Sequence, residues 1–160
     1  MTEIYRHEIK DVVFAGNAII TLESGKTGAY LTYKIQRSKN DANLYFIKSL
    51  RGSDNLTDYT YIGCYFADTK TFVVEKSYKD TDVNSWPKSI RAIRYFFNNI
   101  DNVPDVLKVY HNGICCRCGR ILTTPESIRR GMGPECEAIR CEELLIERNG
   151  RIDNEQREAD

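Results

Sequence analysis

Apolar and polar residues alternate through most of the first 75 positions, and the period then changes. Tyr30–Gln36 sets Leu31, Tyr33 and Ile35 against Tyr30, Thr32 and Lys34, the period of two expected of a strand. Leu44–Leu50 repeats the pattern, with Tyr45 and Ile47 on one face and Phe46 on the other. Tyr59–Phe66 and Thr71–Glu75 are rich in aromatic and β-branched residues and read as further strands. Val12–Ala15 and Ala18–Leu22 read as two short strands around a Gly16-Asn17 turn. The polar runs Ser24–Gly28, Arg37–Asn43 and Arg51–Asp58 separate the strands.

After the polar loop Lys79–Ser85, Ile90, Ile93, Phe97 and Ile100 fall at helical spacing, with Pro87 in the first turn. Asn98-Asn99 and Pro104 stop this helix. Val106–Tyr110 is a last strand. Thr124-Pro125-Glu126 opens a short capped helix that Gly131 closes. Met132-Gly133-Pro134 turns the chain. Glu135 to about Arg148 is a final helix, stopped by Asn149-Gly150. These elements predict an α+β fold: a small antiparallel sheet or partly open barrel with one covering helix, then a cysteine knuckle and a C-terminal helix. The expected division is 1–107 for sheet and helix, 108–150 for the knuckle and last helix, and 151–160 for a disordered tail.

The knuckle changes the picture most. His111, Cys115, Cys118 and Cys136 form H-x3-C-x2-C-x17-C. A C-x2-C pair lets two thiolates reach one ion from a tight turn, and Gly119 after the second Cys lets amides approach the sulfurs. Of six cysteines only Cys64 lies outside 115–141. With no secretory signal, this clustering favours a metal over disulfides. The expected cofactor is a structural zinc ion, four protein ligands leaving no place for a substrate. The fourth ligand is His111 or Cys141. Cys136 and Cys141 lie about 140° apart on a helix, which disfavours their joint ligation. Cys116 reads as a surface thiol, Cys141 as a small apolar residue on the buried face of the last helix, and Cys64 as an ordinary strand residue.

Net charge is zero and 41% of residues are hydrophobic, enough for a core. No apolar run reaches the roughly 20 residues of a membrane helix, so the expected setting is the cytoplasm. Charge is unevenly placed. Lys108, Arg117, Arg120, Arg129 and Arg130 stand against Glu126 alone, and the residues after 134 are mostly acidic. The four arginines are candidates for phosphate contacts, or else a solvated face paired with the acidic tail. A further reading has one or two of them serve the sulfurs of the metal site. Tyr30, Tyr33, Tyr45, Phe46, Tyr59, Tyr61, Tyr65 and Phe66 either fill a small β core or, near Lys34, Arg37, Lys48 and Arg51, offer stacking surfaces for bases.

Nothing singles out an enzyme. The chain lacks G-x-S-x-G, a phosphate-binding glycine loop and an H-x-E deaminase motif; Asn112-Gly113 follow His111. No catalytic residue, small-molecule substrate or membrane partner is predicted. A nucleic-acid-binding module for DNA or RNA is the leading expectation. A protein-interaction inhibitor or adaptor of a host or anti-phage defence enzyme is the alternative, and a metal-dependent nuclease a third.

From Cys115 to Cys136 the sequence follows C-x2-C-G-R-x-L-T-x-P-x-S-I-x-x-G-x-G-P-x-C. It resembles an uncharacterised zinc-knuckle domain recurrent in tailed-bacteriophage proteins. Asp54-Asn55 and Asp58–Gly63 also look like phage proteins carrying this knuckle, extending the likeness loosely over 30–136. The resemblance implies zinc, phage origin and His111, Cys115, Cys118 and Cys136 as ligands. Cys116 departs from the usual pattern, and no activity is implied.

Overall fold

A computed structural model describes residues 1–159. The strands are β1 (Thr2–Glu3), β2 (Asn17–Ser24), β3 (Tyr30–Arg37), β4 (Leu44–Leu50), β5 (Tyr59–Phe66), β6 (Thr71–Val74) and β7 (Leu107–His111). The helices are α1 (Ile9–Val13), α2 (Lys88–Asn98), α3 (Pro125–Arg130) and α4 (Pro134–Ala159). One open antiparallel sheet runs in the order β1-β7-β2-β3-β4-β5-β6. β2 to β6 form a meander, and β7 returns to pair with β1 and β2. The boundary expected at 107 therefore falls at the start of a sheet strand, and the knuckle continues directly from β7.

Alternation along each strand sends Ile20, Tyr33, Ile35, Tyr45, Ile47, Tyr65 and Val109 to one face, where all are buried. α2 covers that face with Ile90, Ile93, Phe96 and Phe97. Each such side chain contributes about 1.5–3 kcal/mol on burial. The rings of Tyr65 and Phe97 stack at 4.3 Å, with Phe14 and Phe72 flanking them. Tyr33 is sealed in, its hydroxyl donating to the Ser89 carbonyl at 2.6 Å, and burial pushes its pKa well above the ordinary tyrosine value.

Two expectations about elements are corrected. Val12–Ala15 is not a strand: Ile9, Val12 and Val13 have helical spacing, and α1 buries all three against the same core. Tertiary burial of that stripe outweighs the β preference of valine. The last helix does not stop at Asn149-Gly150 but runs to Ala159, so 151–159 is helical; Asp160 lies outside the described residues. Asn and Gly lower helix propensity by only about 1 kcal/mol each, and the flanking Glu, Arg and Leu residues favour the helix. Among the described residues no helix is long and apolar enough to cross a membrane.

Candidate metal centre

The knuckle is built from local backbone bonds. An Ile114↔Ile121 bridge and the bonds Cys115 N to Arg120 O (2.8 Å) and Leu122 N to Gly113 O (2.9 Å) close a tight hairpin around Cys115 and Cys118. Thr124 caps α3 through the Ser127 amide, and Gly131 ends it in the left-handed conformation. The chain then turns into α4, which carries Cys136 in its first turn.

The result is a cluster of Cys115, Cys118 and Cys136 with all three sulfurs within 4.8 Å of one another. In a tetrahedral zinc–thiolate centre the sulfurs stand about 3.8 Å apart, from bonds of about 2.3 Å, so this spacing fits an ion with small adjustment. Burial opposes ionisation of Cys115, but the amides of Cys118, Gly133 and Arg117 and the Cys118 thiol bring its pKa below the ordinary value. Burial, with hydrogen bonds to the Cys118 and Cys115 thiols, pushes Cys136 up to about 11. Three soft donors this close suit a thiophilic ion such as zinc. The cluster borders a cleft of about 300 Å³ that Arg120, Thr124, Ser127 and Glu135 also line.

Neither candidate for a fourth ligand stands in that group. His111 ends β7 opposite Ile20 and Thr2 and is buried. Its Nδ1 accepts from the Gly113 amide at 3.0 Å, while Nε2 has no hydrogen-bond partner. Burial lowers its pKa, opposed in part by the backbone at Ile128, so the ring is held neutral. Cys141 is exposed rather than buried. It lines a small crevice with Asp11, Met132 and Arg140.

Cys116 is also corrected. It is buried, because its backbone is clamped on both sides: its amide bonds to Gly131 O and its carbonyl accepts from Asn17 N. Burial, then the Cys115 sulfur, pushes its thiol up to about 12. The doublet thus places adjacent cysteines to opposite ends, one in the cluster and one in the core. Cys64 is a half-buried strand residue.

The knuckle arginines are mostly engaged within the fold. Arg117 bonds Glu143 at 2.9 Å and lies against the Cys136 thiol. Arg129 pairs with Glu8 at 3.4 Å and lies over the Tyr5 ring, and Arg130 pairs with Glu137. Arg120 is exposed and has no ion-pair partner among the described residues. The sequence pattern did not reveal Glu143, on α4, which gathers Arg37, Arg117 and Arg140. Its position three helical residues after Arg140 was the one available signal.

Residues 105–140 match the model of a family of unknown function, DUF6011. That stretch starts just before β7, spans the three clustered cysteines and α3, and ends within α4. No curated protein and no solved structure matches the chain.

Proposed function

We propose that this chain is a non-enzymatic, zinc-binding accessory protein of a tailed bacteriophage, acting on nucleic acid in the host cytoplasm. Cys115, Cys118 and Cys136 would hold the zinc ion, which supplies a structural crosslink between the β7 hairpin and α4. The observation that carries the nucleic-acid reading is that the helices cover one face of the sheet. The other face carries lysine and aromatic side chains with no helix over them. Arg120, the free arginine beside the cysteine cluster, would add a phosphate contact. Arg117, Arg129 and Arg130 act first as internal ties and reach phosphate only if those pairs exchange.

Fluorescence anisotropy of the zinc-loaded chain with single- and double-stranded DNA and RNA tests this. Affinity should fall steeply from 50 to 200 mM salt, as counterions are released. Absence of binding to all four would remove the reading. A chelator should also lower the melting temperature by on the order of 10 °C, since structural zinc contributes several kcal/mol.

One observation favours a protein-interaction role as a second reading. α4 exposes Ile139, Leu145, Ile146 and Ile152 to solvent. A pull-down from nuclease-treated host lysate, compared between the wild type and a Leu145→Glu/Ile146→Glu variant, tests it. A partner captured only by the wild type supports that role, and equal capture counts against it.

A further inference from the structure

The uncovered sheet face has an arrangement that an ordinary solvated surface does not need. Lys34 and Lys48 are direct cross-strand partners, and Tyr61 is the next partner across on β5. Like charges placed directly opposite destabilise a sheet. Neither lysine has an ion-pair partner among the described residues. Lys34 Nζ instead lies 6.0 Å from the centre of the Tyr59 ring. The carboxylates next to the two tyrosines are held in local bonds: Asp54, which acts on Tyr59, accepts from the Leu56 amide at 2.8 Å, and Glu75, which acts on Tyr61, accepts from the Ser77 amide at 3.0 Å. Lys34 and Lys48 thus have no carboxylate partner among the described residues and are free for an outside anion.

Aromatic rings flank this pair. Phe46 is 38% and Tyr61 42% exposed, and their rings meet edge to face at 6.5 Å, which leaves ring surface open. Tyr61 owes its place to a bulge. Ile47 pairs with Gly63 but Lys48 pairs with Tyr61, so Ile62 is an extra residue in β5. Strict alternation from buried Tyr65 would turn Tyr61 and Tyr59 toward the core. The bulge sends them to the open face. Gly63 makes room for it, since a Cβ there would sit 2.5 Å from the Val73 carbonyl oxygen.

We infer that this face binds single-stranded nucleic acid, with bases stacking on Tyr61 and Phe46 and phosphates held by Lys34 and Lys48. The inference rests on the nucleic-acid reading above and names its substrate class and seat. Duplex DNA hides its base faces, so a stacking platform selects unpaired strands.

The test is anisotropy of the zinc-loaded full chain with a fluorescein-labelled mixed-sequence 16-nucleotide DNA, its RNA equivalent and the matching duplex. Tyr61→Ala and Phe46→Ala should each weaken single-strand binding by roughly 5- to 150-fold, the worth of one stacked base. Tyr61→Phe should bind as the wild type does. Lys34→Ala should flatten the salt slope by about 0.7. Both rings are exposed, and unchanged melting curves confirm folded variants. If the wild type binds no nucleic acid, the broader reading fails and this one with it. If binding survives Tyr61→Ala and Phe46→Ala but is lost in Arg120→Ala, the broader reading stands and this one is overturned. Duplex bound as tightly as single strand also overturns it. So does a dimer in sedimentation that Tyr61→Glu dissociates, because a second copy would then own the face.

Discussion

At the scale of single residues, the knuckle separates ligand chemistry from packing. Cys115, Cys118 and Cys136 converge, whereas His111 and Cys116 point into the core. Cys118→Ser or Cys136→Ser should therefore lose bound zinc, measured by mass spectrometry of the native protein. His111→Ala should keep the metal and lose about 1–3 kcal/mol of stability by leaving a buried hole. A metal-free His111→Ala protein that is otherwise folded would contradict this. The C-x2-C spacing was legible because only a turn can present it. The role of the histidine was not. Four residues of separation fit a ligand folding back and equally fit a strand end facing inward; in the fold His111 pairs with Ile20 and Thr2 at the end of β7 and stands outside the cysteine trio.

At the scale of elements, β3, β4 and β5 could be read nearly to their ends, because alternation over seven or eight residues leaves no competing period. The bulge could not be read. Tyr59-Thr-Tyr-Ile-Gly-Cys-Tyr alternates smoothly on paper, and the extra residue shows only against its neighbour's register. Gly63→Ala should cost about 1–3 kcal/mol in urea denaturation, because the added methyl has a backbone carbonyl in its way. α1 was missed for the opposite reason: five residues are too few for a helical period to stand out against three β-branched side chains. α4 carries a further expectation. Its residues from 145 to 159 are exposed throughout. A chain ending at residue 149 should keep its melting temperature within about 1 °C while losing helical circular dichroism, since an unpacked helix contributes little to stability. A fall of several degrees would mean that the end of α4 has a packing partner.

At the scale of the whole molecule, charge ties distant segments together. Asp101, just after α2, binds Lys10 of α1 at 2.6 Å and Lys70 of the β5–β6 turn at 2.8 Å. Those hydrogen bonds hold its pKa down to about 2. A carboxylate lowered in the folded state contributes stability above its unfolded value near 3.9, and the contribution disappears as pH falls toward 2. Asp101→Asn should therefore destabilise at neutral pH, by less than about 1 kcal/mol because the pair is half exposed. The difference from wild type should vanish near pH 2 in a urea series. A difference that persists there would assign the effect to packing instead. Such a three-way tie has no linear signature, since its members are 31 and 91 residues apart.

The placement of β7 also has a consequence for synthesis. On the ribosome, the meander from β2 to β6 can assemble as it emerges, because each hairpin needs only its neighbour. The first strand must wait: its pairing partner is translated about a hundred residues later, and the cysteines follow immediately behind. The amino-terminal edge can therefore close only once β7 is made, and the thiol cluster only once Cys136 of α4 follows, so a nascent chain stalled before residue 107 would present an unpaired β2 edge to whatever meets it first.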